Sequence, residues 1–263
     1  MSVRSRRSTG FTLIEMMVSM GIFILICGSA FTLLGVSQQR YQSDTQVLNS
    51  FQEARLGLDQ IVRDANDSGY PPANQFELPL PSTSYYAATP VAWSPSYPSV
   101  PCNMSGGCTT PEQWGMFIET NPTPQVPLST VQFIRYKLVG TTLYRGVFPK
   151  TGAAATDPYG SIPDSVLVPF VQNVMNNASA AQIAQINASY PGMFPGGVPV
   201  PLFRYWCDTP AGPQECSTVG GIPTNIRSVL VTLIVATPTP DMQSGQMRIV
   251  ELTGRGSRLN SFP

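Results

Sequence analysis

Between Phe11 and Val36 the chain carries one charged side chain, Glu15, among residues that are mostly Leu, Ile, Val, Met, Phe, Gly and Ala. At about 1.5 Å per helical residue, such a run crosses a hydrocarbon layer about 30 Å thick. Ahead of it stand Arg4, Arg6 and Arg7 with no acid. Positive charge on that flank keeps it cytoplasmic and sends the remainder outward. The run therefore divides the chain into residues 1–10 as a leader, 11–36 as a membrane-spanning helix, and an extracytoplasmic body.

Glu15 is the anomaly in that run. A carboxylate within a spanning helix costs up to about 3 kcal/mol at the bilayer centre, so it calls for a cation or water. Cleavage after Gly10 would place the new α-amine of Phe11 four residues before Glu15, one helical turn away. The acid would also stand at the positive end of the helix dipole. The same pairing made between neighbouring chains would set their helices in register.

The sequence Gly10-Phe11-Thr12-Leu13-Ile14-Glu15, leading into an apolar helix, resembles the class III prepilin signal of type IV pilins and type II secretion pseudopilins. The resemblance covers about the first quarter of the chain. It implies that prepilin peptidase cuts between Gly10 and Phe11 and that Phe11 becomes N-methylated. It also implies that Glu15 serves assembly while the helix packs in a filament core. The partners implied are prepilin peptidase, other pilins or minor pilins, and an inner-membrane assembly platform. The implied location is the bacterial inner membrane with the head in the periplasm, then a pilus or its tip at the cell surface. Many major pilins carry proline where this chain has Thr32, so any loosening of the helix would fall at Gly28 or Gly35.

Other readings explain less. A secretory signal cut near Gly28-Ser29-Ala30 has no use for Glu15. Lipid attachment at Cys27 would need a small residue where Ile26 stands, and a plain signal anchor leaves Glu15 and the Gly10-Phe11 junction as accidents. Gly21, Gly28 and Gly35 recur every seven residues, near one helix face, and would admit a close neighbouring helix. Glycine is also simply common in membrane helices.

From residue 37 to 69 the pattern becomes amphipathic. Val47, Phe51, Ala54, Leu58, Ile61 and Ala65 share a face, with Leu48 and Val62 beside it, while Arg63 and Asp64 are assigned to the polar faces. The helix is predicted to continue unbroken to Ser68-Gly69, where Pro71-Pro72 stops it. Residues 70–263 form the head.

In the head, Tyr70 to Gln125 is rich in proline and aromatic residues and reads as a loop excursion ending in a strand at Trp114–Glu119. A hairpin is predicted over Ser129–Phe148, turning at Gly140-Thr141-Thr142, with Arg135, Lys137 and Arg145 on its solvent face. Further strands are predicted at Val166–Val171, Leu202–Cys207, Ile226–Val235 and Met247–Leu252, with a short helix within Asn176–Ile186. The fold class expected is α+β: a long N-terminal helix packed on one antiparallel sheet with long loops.

Four cysteines beyond the membrane run allow three connectivities, of which Cys102 with Cys108 and Cys207 with Cys216 is favoured on the oxidising side. The chain has no histidine, which removes the usual base of triad and metal chemistry. Asp157, Asp164, Asp208 and Glu215 read as isolated surface acids, and Asp241 as a turn residue. No catalytic residue, metal or cofactor is expected, and loss of the leader leaves 12 basic against 15 acidic side chains, which gives no footprint for nucleic acid. The order of elements is similar to PilW-like minor pilins, then to GspJ-like pseudopilins. The reading is a non-enzymatic minor pilin that primes or caps a type IV pilus. The alternatives are a type II secretion pseudopilin and a membrane-anchored adhesive or binding protein.

Overall fold

The computed structural model describes residues 10–81, 83–94, 110–123, 129–150, 162–241 and 245–258. Helix α1 runs without interruption from Leu13 to Asn66, 54 residues. Its end is closed by the Asp67 amide donating to the Arg63 carbonyl, and Gly69 then takes a left-handed φ of 81°, a conformation that glycine adopts without a Cβ penalty.

Two antiparallel sheets form where one was expected. The first is ordered β1-β2-β3-β4-β5, from Val91–Ala92, Gly115–Thr120, Gln132–Val139, Thr142–Pro149 and Val168–Val171. The second is ordered β7-β6-β8-β9, from Gly212–Glu215, Phe203–Thr209, Ile226–Ala236 and Ile249–Ser257. Two short helices, α2 (Ala180–Ser189) and α3 (Cys216–Val219), complete the regular elements.

The split follows from β8. Nine of its eleven residues, 228–236, form an unbroken apolar or small-polar stretch that is buried almost throughout, so the strand needs cover on both faces. Val229, Val231, Leu233 and Val235 belong to the main core shared with α1. Ile234 and Ala236 instead meet Ile183 and Ile186 of α2, with Phe194 and Met175, in a second core. Asn176 fastens this layer: its amide donates to the carbonyls of Thr232 (2.8 Å) and Val200 (3.1 Å), and its carbonyl accepts from the Ile234 amide at 2.9 Å.

The two sheets meet through aromatic residues. Trp93 and Tyr205 lie with ring centroids 5.4 Å apart, and Tyr136 lies between Phe170 and Phe203. The Tyr205 hydroxyl donates to the Gly115 carbonyl at 2.7 Å, joining β6 to the first sheet.

Against both sheets lies the outer half of α1, burying Ala54, Gly57, Leu58, Ile61, Asp64 and Ala65. The approach is close because glycines face it. A Cβ on Gly256 of β9 would strike the side chain of Ala65, one on Gly254 would meet Val62 and Leu58, and one on Gly57 would strike Val171 of β5.

Two sequence expectations are corrected here. Asp64 lies on the buried face of α1, and Arg145 turns inward to meet it. In the β3–β4 register Arg145 pairs with Tyr136, whereas Arg135 pairs with Gly146, so the pleat puts Arg145 on the core face and Arg135 with Lys137 on the opposite one. The hairpin turns through two residues, Gly140 (φ 60°) and Thr141.

Candidate functional site

The exposed part of α1 begins at Thr12, its N-cap. The Glu15 carboxylate accepts from the Thr12 amide and the Thr12 hydroxyl, both at 2.9 Å, and the Glu15 amide donates to Thr12 Oγ1 at 3.4 Å. This is a reciprocal capping box. The pattern Thr12-x-x-Glu15 carries its signal in the sequence, although the expectation for Glu15 was a cation, water or the helix dipole and not its own N-cap. Both contacts engage Oε2; among the described residues no hydrogen bond reaches Oε1, and Phe11 is 82% exposed.

The apolar run finds no partner in its own chain. None of the most apolar stretch of α1 is buried, and α1 is, among the described residues, the one helix long and apolar enough to cross a membrane. Leu25 and Leu33 stand about three-quarters exposed. A Cβ placed on Gly21, Gly28 or Gly35 would meet nothing within 4 Å, so these glycines face open space. The helix stays regular through Gly28 and Gly35, with the Thr32 hydroxyl bonded back to the Gly28 carbonyl. Cys27 is a free thiol.

The head is fixed to the helix by a polar cluster. Asp64 Oδ2 accepts from Tyr136 Oη (2.6 Å), Arg145 Nη2 (2.8 Å) and Arg145 Nε (3.0 Å), while Oδ1 accepts from Gln60 at 2.7 Å. Burial, then the Asp64 charge, pushes the Tyr136 phenol well above its ordinary range, so it acts there as a donor. Glu119, also buried, accepts from Lys150 Nζ (3.0 Å) and the amides of Ala88 and Thr89. Burial pushes its carboxyl up, against the pull of Lys150 and the amides. Both clusters tie distant segments of chain together.

The acids read as isolated are mostly paired. Asp164 meets Arg135 at 2.7 Å and Lys137 at 2.9 Å; Asp208 meets Arg227, and Glu215 takes both arms of Arg204. Asp157 lies outside the described residues. Cys207 and Cys216 are joined with Cα atoms 5.0 Å apart, bracing β6 against the start of α3. Cys102 and Cys108 lie outside the described residues. Among the described residues no group of three His, Cys, Asp or Glu side chains is placed to hold a metal ion.

No curated protein and no solved structure matches the chain. Residues 5–31 match the family model described as the prokaryotic N-terminal methylation motif. This chain thus carries, at the head of its long exposed helix, the N-terminal methylation signal of type IV pilin-like proteins and pseudopilins.

Proposed function

We propose that the chain is a minor pilin, a structural subunit and not an enzyme. Prepilin peptidase cuts it between Gly10 and Phe11 and methylates Phe11. The apolar half of α1 holds it in the bacterial inner membrane with the head in the periplasm, and the same half then packs among other pilins when the assembly platform draws it into a filament, which it primes or caps. The observation that carries this reading is the methylation motif opening directly into an apolar helix that no part of the head covers.

The capping box fits this role. Cleavage leaves the Thr12 amide and hydroxyl in place, so Glu15 keeps a local anchor on Oε2 while Oε1 is open to the methylated amine of a neighbour. Gly21, Gly28 and Gly35 would form a face for close helix contact. Deletion of the gene, followed by counting surface pili and assaying protein export, tests the reading. Fewer pili with export intact is expected; lost export with normal pili would move the chain to the secretion pseudopilins. Normal pili and export with lost attachment would make it a membrane-anchored adhesin.

A further inference from the structure

The four edges of the two sheets are not alike. β1 is two residues long, and β5 and β7 are four residues each and carry a proline, Pro169 and Pro213. Shortness and proline both keep an edge from pairing. β9 is nine residues long, has no proline, and stands last in its sheet. The Thr237 amide donates to the Arg248 carbonyl and the Arg258 amide to the Arg227 carbonyl, and the β8–β9 register puts these pairs in phase with Val250, Leu252, Gly254 and Gly256. Those four therefore bond to β8, while Ile249, Glu251, Thr253, Arg255 and Ser257 turn their N–H and C=O groups to the open side. Asn66 Oδ1 accepts from the Ser257 amide at 2.8 Å. The other four N–H groups meet no partner among the described residues.

The side chains on this edge carry a charge pattern that the sheet does not answer. Glu251, Thr253 and Arg255 are exposed on one face, and across β8 they stand beside Ile234, Thr232 and Leu230. Arg255 donates to Ser228 Oγ (3.1 and 2.7 Å) and lies over the Trp206 ring; among the described residues no acid pairs with it and no base pairs with Glu251. Opposite charges across a strand pair favour pairing, and like charges oppose it. On the other face Val250 and Leu252 are only partly buried. A strand added antiparallel at Thr253 thus needs an acid opposite Arg255, a base opposite Glu251 and apolar residues between them on the face of Leu252.

Direction excludes one occupant. β9 runs the way α1 runs, with Leu58 and Val62 at Gly254, Ala65 at Gly256 and Asn66 at Ser257. Glu251 and Arg255 are symmetric about Thr253, so a second copy could match the charges, but antiparallel pairing of two β9 strands would point its α1 the opposite way and carry its apolar half away from the membrane.

We propose that β9 takes a fifth strand from another subunit of the assembly. The donated segment is extended, runs toward the membrane, and carries an acid followed four residues later by a base, with apolar residues at the first and third positions between them. The inference rests on the membrane-anchored reading above.

β9 itself has the acid-to-base order, so a synthetic peptide of residues 249–257 is the probe. With the full chain in nanodiscs, which fix the direction of α1, hydrogen exchange resolved to single amides should show the peptide slowing Glu251, Thr253 and Arg255 and leaving Leu252 and Gly254 unchanged. A peptide with the glutamate and arginine exchanged sets like charges together at both pairs and should bind about tenfold more weakly. Glu251→Arg combined with Arg255→Glu in the chain should reverse that order. Thr253→Pro removes an outward N–H alone, so the thermal midpoint should hold while protection by the peptide is lost. In whole cells, a photocrosslinking residue in place of Thr253 should join another subunit at a segment with the acid-to-base order. Equal binding of the two peptides, outward amides left unprotected, peptide binding that survives Thr253→Pro, or adducts of the chain with itself overturns the proposal. A chain that fails to enter nanodiscs overturns the anchor reading itself, a result distinct from an inserted chain that ignores the peptide.

Discussion

The two halves of α1 obey the same backbone geometry and meet opposite fates. From Leu13 to Val36 the helix is, Glu15 apart, apolar all round and nearly every side chain is exposed; from Ala54 to Ala65 it has one narrow stripe, in which Ala54 and Ile61 are completely buried. A stripe can be satisfied by a sheet of the same chain, whereas an all-round apolar surface needs lipid or other helices. The inner half is therefore written for an environment outside the fold, and the outer half for the fold. Glycine marks the contrast. Gly254, Gly256 and Gly57 sit where a methyl group would collide, while Gly21, Gly28 and Gly35 face empty space.

Substitutions in the outer half and in the sheets it packs on should damage the head and leave the anchor alone. The largest loss is expected from Asp64→Ala, which strands Arg145 and the Tyr136 hydroxyl and should cost about 3–5 kcal/mol, read as a lower thermal midpoint of the full chain in detergent. Gly256→Val, which drives the helix off β9, should cost about 3 kcal/mol by the same measurement. Serine at Cys207 and Cys216 should cost about 2–3 kcal/mol, because the bond closes a short loop. An unchanged midpoint for Asp64→Ala or Gly256→Val would mean that the outer half is not held as described, and for the serine pair that the bond does not brace β6 against α3.

Glu215 offers a smaller, pH-dependent effect. The hydrogen bonds from Arg204 hold its carboxyl below the ordinary 4.5. A depressed carboxyl contributes stability above 4.5 that fades as pH falls through its folded value, so Glu215→Gln should flatten the acid side of the stability curve slightly, the pair being partly exposed. An unaltered acid limb would remove that pair from the account. At the other end of the comparison, Glu15→Val should leave the midpoint and membrane insertion unchanged while incorporation into pili falls. Normal incorporation would end the assembly role given to the carboxylate.

Much of this contrast was legible in the sequence. The apolar run, the stop after Ser68-Gly69, the hairpin across Gly140, the late strand at Ile226 and the Cys207–Cys216 pair are local signals, carried by composition, period or spacing. What was not legible is long-range. Asp64 is polar by type, and only the register that places Arg145 beside Tyr136 makes its burial intelligible. The two-sheet arrangement depends on β8 being covered on both faces, which a strand's own residues suggest but cannot allot to α1 and α2. The Thr12–Glu15 capping box was legible too, as a Thr-x-x-Glu pattern in four consecutive residues.

The central claim is that Gly10-Phe11 is a processing junction and the helix behind it an assembly element. The most direct measurement is the intact mass of the N-terminal peptide isolated from membranes with and without prepilin peptidase. A peptide beginning at methylated Phe11, lost when the peptidase is absent, is the predicted result. A peptide beginning at Met1 or Ser2 in both, or one beginning after Ala30, would contradict it.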